Sequence, residues 1–411
     1  MKGPASTPVC NFQLMIVQHR PPLHLSYCLN IHPGETWAEN LRAIREKAGL
    51  VRQLVSAGQW FGLGLRLSAQ AAEDLSGNPA LRAEALDAFS EAEMYPFSVN
   101  AFPYGRFHGG TVKEHVYSPD WRMLDRRNYT FQVADILAGW LPEGVDGSIS
   151  TVPGSYKAWI KDPSAVSAMA ENIGAVAAYL GALQEDTGRE IHLGLEPEPS
   201  CYLETTAEMI AFFKNELMTT GVEEIKRIRK CYTKEAEEMM RRHVGVCFDT
   251  CHVALQFENP LEAVRLYRAE GIRISKVQLS AALVVSGDAE GWESLKPFAE
   301  GVYLHQVRGR RTDGTIASWD DLPQALADTD AHEGIEEVRV HFHVPLFFKG
   351  AGKLGSTVGT LCPDFFHELR TGATSHVEIE TYTFDVLPKE IHPGDVVKSI
   401  AREFDWVQTH L

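Results

Sequence analysis

Residues 191–200 read IHLGLEPEPS and residues 244–252 read VGVCFDTCH. Each opens with a short, mostly apolar run, the length of a buried strand rather than of a helix, and each stops at an acid, Glu196 or Asp249. Pro197 halts regular pairing directly after the first acid. Helical patterns over residues 206–214 and 222–242 follow the first run, and one over 261–270 follows the second. A strand, a helix and a second strand in that order form a parallel crossover unit, because parallel strands cannot be joined by a tight turn.

The same unit recurs in both directions. Upstream lie 23–31 (LHLSYCLNI), 61–67 (FGLGLRL), 98–102 (SVNAF) and 148–152 (SISTV); downstream lie 274–279 (ISKVQL), 338–344 (VRVHFHV) and 377–382 (VEIETY). Thr36 and Glu39 have capping-box spacing and open a helix to about Lys47; further helices are expected from Ala69 and over 164–185. Near-continuous apolar strands suit a parallel sheet covered on both faces. Nine runs exceed the eight of a closed barrel. The spacing therefore predicts a single (β/α)8 TIM barrel over 23–411, with 1–22 as an irregular leader. The runs 302–308 and 338–344 are expected to pair as an excursion between strands 7 and 8. An open, doubly wound sheet is the alternative, weakened by the lack of Gly-x-Gly-x-x-Gly after the first strand. Gly62 and Gly64 sit inside an apolar run, where they ease crowding.

The 411 residues carry a formal charge of −16, which argues against a nucleic-acid binder acting through overall charge. Arg308, Arg310 and Arg311, and Arg122, Arg126 and Arg127, read more simply as solvated surface than as a basic groove. The mixed charges of 222–242 read as an outer helix. No apolar run approaches the length of a membrane span, and no basic-then-apolar leader opens the sequence. Seven cysteines without a Cys-x-x-Cys argue for reduced thiols rather than a disulfide framework or a thiolate zinc site. A cytoplasmic protein is expected. There is no Gly-x-Ser-x-Gly elbow and no Walker loop.

Barrel chemistry sits at the carboxyl ends of strands. There the sequence places Glu196, Asp249 with His252 three residues on, Gln278, and Glu380 sharing a strand face with Glu378. Singly, each has a plainer role: an N-cap, a solvated loop acid, a structural amide, an ion-pair partner. Together, on successive strands, they point to one divalent ion. A ligand set of oxygens suits Mg2+ or Mn2+, with Co2+ or Zn2+ as alternatives.

These segments, LGLEPEPS, FDTCH, KVQLS and EIETYTF, resemble the xylose isomerase-like barrel superfamily. The resemblance implies that Glu196, Asp249, Gln278 and Glu380 bind the metal and that His252 faces the substrate. Gln in the third position is closest to the hydroxypyruvate isomerase-like branch. The stretches LSYCLNIHPGETWAE, NAFPYGRFHG, GSISTVPGSYK, YLHQVRGR and VHFHVPLF are similar to EboE-type metabolite traffic proteins, a group tied to moving or processing metabolites.

Several other side chains are candidates for the same mouth. His341 and His343 point to one side of a strand. His32, His108 and Tyr27 lie at early strand ends, and Arg106 and Lys157 are placed to meet an anionic group. Three functions follow as expectations. The first is a metal-dependent isomerase or epimerase of a small polyhydroxylated metabolite, with Glu196, Glu380 or Glu198 moving the proton α to a carbonyl. The second is a zinc phosphoesterase of the endonuclease IV-like type using late histidines such as His305, His341 or His343. The third is a carrier without turnover.

Overall fold

The computed structural model describes residues 14, 16–56, 58–105, 113–299, 303–384 and 394–411. Eight strands run parallel in one curled sheet: β2 (Pro22–Tyr27), β3 (Phe61–Arg66), β4 (Met94–Asn100), β5 (Gly147–Thr151), β6 (Ile191–Leu195), β7 (Val244–Asp249), β8 (Arg273–Leu279) and β15 (His376–Ile379). β1 (Ile16–His19) lies antiparallel on β2. From β2 the order runs β15-β8-β7-β6-β5-β4-β3, and a parallel bridge between Cys28 and Gly64 brings the two ends together. Every internal position of β3 through β7 is buried, as a sheet covered on both faces requires.

The remaining strands form a separate antiparallel sheet. These are β9 (Ala281–Ser286), β10 (Val307–Arg311), β11 (Ile316–Trp319), β12 (Ile335–Val344), β13 (Gly350–Ala351) and β14 (Leu354–Ser356), ordered β11-β10-β12-β9-β14-β13. All six fall in sequence between β8 and β15. The ninth apolar run, 338–344, is thus β12, paired with β10 as Val307 opposite Val340. The paired strand spans 307–311 rather than 302–308, and residues 301 and 302 lie outside the described residues.

Local chemistry accounts for the helix ends. Glu39 donates its N–H to the Thr36 hydroxyl and accepts from the Thr36 N–H, closing the expected capping box. The long helix expected over 222–242 is broken. Lys230 adopts a left-handed conformation (φ 55°), and the Glu235 carboxylate takes the Tyr232 N–H, starting a new helix at Thr233. Two further expectations are corrected. Part of the irregular leader is the strand β1, and the third strand begins at Met94, with Pro96 inside it and Asn100 at its tip. The helix Pro163–Thr187 is long and apolar enough to cross a bilayer by length and composition, yet 61% of its apolar window is buried against the rest of the chain. The six described cysteines are free.

A charged pair fills the middle of the curled sheet. Lys276 Nζ lies 2.5 Å from Glu378 Oε2, with both side chains fully buried, and also donates to Ser98 Oγ at 3.1 Å. Gly64 on β3 makes room for it, since a Cβ there would overlap Glu378 Oε1 and come within 2.9 Å of the Tyr27 carbonyl.

Candidate metal centre

The acids lie where their strands stop. Asp249 ends β7, while Glu196 and Glu380 each follow the last residue of β6 and β15. The ladder carries them one step further: Glu196 N–H donates to the Thr151 carbonyl at 3.1 Å and Glu380 N–H to the Leu279 carbonyl at 3.0 Å. One carboxylate oxygen from each of the three lies within 4.8 Å of the others, all three side chains being buried.

Asp249 and Glu380 are each held by one oxygen and leave the other open. Asp249 Oδ1 accepts from the N–H groups of Cys251 (2.6 Å) and His252 (3.2 Å) and from Ser280 Oγ (3.0 Å), capping the helix Thr250–Leu255. Its N-cap role and its place in the cluster thus coexist. Glu380 Oε1 accepts from the amides of Asn30 (3.3 Å) and Asn100 (3.1 Å). Asp249 Oδ2, Glu380 Oε2 and Glu196 Oε2 are buried and without a hydrogen-bond partner among the described residues. Three such oxygens in one place are costly unless a proton or a cation joins them. Burial, then the neighbouring carboxylates, push Glu196 and Glu380 well above the usual carboxylate range. Burial also presses Asp249 upward, but His252, His343 and the helix N–H groups bring it below its ordinary value. A dication reverses this logic and favours three charged carboxylates. The residues therefore fit a divalent ion.

Gln278 stands beside Asp249 in register, and its Oε1 accepts from the Cys247 thiol at 2.9 Å, leaving Nε2 partnerless. Turning the amide over exchanges the two atoms, so an oxygen toward the cluster is equally compatible with the heavy-atom positions.

The histidines are closer to the acids than a substrate-facing role requires. His252 Nδ1 donates to the Pro197 carbonyl (3.1 Å), His341 Nδ1 to Gln306 Oε1 (2.6 Å) and His343 Nδ1 to the Glu380 carbonyl (2.8 Å). Those acceptors fix the tautomers, so each Nε2 carries a lone pair. Yet His341 Nε2 lies 3.1 Å from His252 Nε2 and 3.0 Å from His343 Nε2. Burial lowers all three imidazoles, so a proton between them is disfavoured, whereas a metal ion satisfies such lone pairs. Asp249, His252 and His343 form a second ligand group of their own.

A cavity opens over this cluster and is lined among others by Asn100, Tyr117, Glu198, His305, His343 and Tyr382. Glu198 Oε1 accepts from Tyr117 (2.9 Å) and Gln306 (3.2 Å), and burial pushes its carboxyl up to about 7 against those bonds.

Of the remaining sequence candidates, His341 and His343 line the cavity. His32 and Lys157 do not: His32 Nε2 is bonded to the Tyr27 hydroxyl at 2.9 Å, and Lys157 is half exposed and paired with Glu208 at 3.0 Å. His32 thus turns to the last residue of β2, and Lys157 to the helix Thr206–Phe212. Arg106 and His108 lie outside the described residues. Sequence reading passed over Asn100, because it set the third strand at 98–102 and put Asn100 in its middle. It also passed over Asn30, Tyr117, Lys276 and Gln306, which hold the acids without being strand-tip acids themselves.

No family model and no curated protein sequence matches the chain. Solved structures similar to it include the probable 3-DHS dehydratase AsbF involved in petrobactin synthesis from Bacillus anthracis. Identity there is 11% and the TM-score 0.45, over 94% of this chain and 98% of that one. The IOLI protein with a binding zinc atom is 14% identical, with a TM-score of 0.43 over 95% and 99%. A xylose isomerase domain containing protein from Salmonella typhimurium LT2 is 12% identical, with a TM-score of 0.38 over 93% and 95%. Likeness at this level carries no argument about activity.

Proposed function

We propose that the chain is a divalent-metal-dependent isomerase or epimerase of a small polyhydroxylated carbonyl compound, built on an eight-stranded (β/α) barrel whose β9–β14 sheet is inserted between its seventh and eighth strands. The observation that carries this reading is the convergence of three buried, partnerless oxygens from Glu196, Asp249 and Glu380 beneath an open cavity. Those three residues, with Gln278, would hold Mn2+ or Mg2+; the nearby imidazoles widen the choice to Co2+ or Zn2+. When bound, such an ion polarises a carbonyl and an adjacent hydroxyl as a Lewis acid.

The chain's own groups supply the proton transfers. Glu196 and Glu380 would hold the ion and would be weak bases there. Glu198 stands next to them, with one oxygen held by Tyr117 and Gln306, and removes the proton α to the carbonyl. Glu198, then protonated, returns the proton to the neighbouring carbon; His252 and Glu380 line the same cavity, and Asn100 orients Glu380. The acidic, hydrogen-bonding walls suit a hydroxyl-rich metabolite in a cytoplasmic setting. The test is deuterium uptake from D2O at the α carbon of candidate ketoses. Exchange in the wild type that falls at least 100-fold in Glu198→Gln supports the assignment; equal exchange in both sinks it.

The contacts among His252, His341 and His343 favour a second reading, hydrolysis of a phosphoester by a cluster of zinc ions. Two or more zinc ions per chain with phosphodiester cleavage and no α-proton exchange would select it.

A further inference from the structure

At the opposite end of the sheet, where the strands begin, lies a second group that the proposed reaction does not use. Asp146 immediately precedes β5, His192 is the second residue of β6 and His376 opens β15. His192 Nε2 lies 3.1 Å from Asp146 Oδ2, and His376 Nε2 lies 3.2 Å from Asp146 Oδ1. Both histidine side chains are fully buried, while Asp146 is 23% exposed, which gives the group an entrance from solvent.

Hydrogen bonding leaves this group incomplete. Asp146 Oδ2 is well supplied, accepting from Arg273 at 2.8 Å and Ser375 at 2.9 Å besides facing His192. His376 is less well supplied: its Nε2 faces Asp146 Oδ1 at 3.2 Å off the line of a well-aligned hydrogen bond, and its Nδ1 is buried without a partner among the described residues. His192 Nδ1 is likewise buried without one. Two fully buried imidazole nitrogens converging with one carboxylate, their ligand atoms within 4.8 Å of one another, are a set able to surround an ion. Neighbouring ligand atoms in a tetrahedral zinc shell are about 3.3 Å apart, given bonds of about 2.0 Å, close to the spacings here. Charge also permits it. Arg273 pairs with both Asp146 and Glu190, so with neutral imidazoles the group carries one net negative charge.

We infer that Asp146, His192 and His376 form a zinc site at the amino-terminal floor of the sheet, separate from the candidate metal centre at its mouth. Two nitrogens and a carboxylate are a zinc set rather than a magnesium set. β15 stands three places from β6 in the sheet order, so the ion joins opposite walls of the curled sheet and acts structurally.

The test begins with crystals of the full-length chain grown with zinc and measured on both sides of the zinc absorption edge. An anomalous peak between Asp146, His192 and His376 is expected whatever the mouth contains, and its absence overturns the inference. In solution, an Asp249→Ala/His252→Ala/His341→Ala chain with wild-type circular dichroism should retain one zinc, and adding His376→Asn should release it. Zinc that stays after that addition, or a folded triple variant that binds none, also overturns it. Neither result bears on proton exchange at the mouth, so the two proposals stand or fall separately.

Discussion

Replacing Lys276 with Met would remove the cation from the middle of the sheet while keeping most of its volume. Glu378 would then be a fully buried carboxylate whose remaining donor is Ser98 Oγ, at 3.4 Å, with Oε1 already partnerless. Breaking a buried pair from one side costs about 3–5 kcal/mol, because the surviving charge keeps its desolvation penalty. The weak substitute bond argues for roughly 4 kcal/mol at pH 7. Glu378→Gln strands the ammonium instead and should cost a similar amount. The double variant leaves two neutral groups of nearly native shape, so it should recover at least about 2 kcal/mol relative to the sum of the singles. Urea unfolding at pH 7 reads all four proteins, with midpoint shifts interpreted at constant slope. A Lys276→Met cost under about 1 kcal/mol, or singles that simply add, would refute the reasoning.

Further outcomes follow from other buried groups. Gly64→Ala should cost about 3 kcal/mol or abolish soluble expression, because its methyl meets Glu378 and the Tyr27 carbonyl; chemical denaturation measures it. Burial pushes the Glu403 carboxyl from 4.5 up to about 8, against hydrogen bonds from Thr381 and Leu346. Folding therefore favours its protonated form, so stability is highest below about pH 4.5 on this group's account and is lost as pH rises through 8. Thermal melts should show Glu403→Gln gaining on the wild type between pH 5 and 9, by at most about 4 kcal/mol, and an unchanged difference would contradict this. Tyr117→Phe removes a donor to Glu198 and should slow α-proton exchange about 10-fold with little loss of stability, as paired kinetic and unfolding measurements would register.

The strand-then-helix rhythm was legible because parallel strands buried on both faces are written as apolar runs, and eight of the nine runs entered the parallel sheet. The ninth, 338–344, looks the same in sequence because β12 is also central in its own sheet, between β10 and β9. The short strands β11, β13 and β14 bury too little to leave a pattern. Glu196, Asp249 and Glu380 could be read from chain position alone, since a strand tip fixes where an acid goes. What surrounds them could not. His341 and His343 reach the acids only through the tertiary packing of the second sheet, and Asn30, Asn100 and Gln306 are ordinary amides until the fold aims them. The floor group is still less visible, because Asp146, His192 and His376 are far apart in sequence and sit at strand starts, where chemistry is not sought.

The central claim is that Glu196, Asp249 and Glu380 cage a divalent cation, and Mn2+ binding followed by electron paramagnetic resonance tests it most directly. Manganese favours the oxygen-rich mouth over the nitrogen-rich floor, which keeps the measurement specific. The wild-type chain should take up one Mn2+ tightly, and a folded Asp249→Ala variant should lose that ion. A wild-type chain that binds none, or a variant that binds it equally well, would contradict the account.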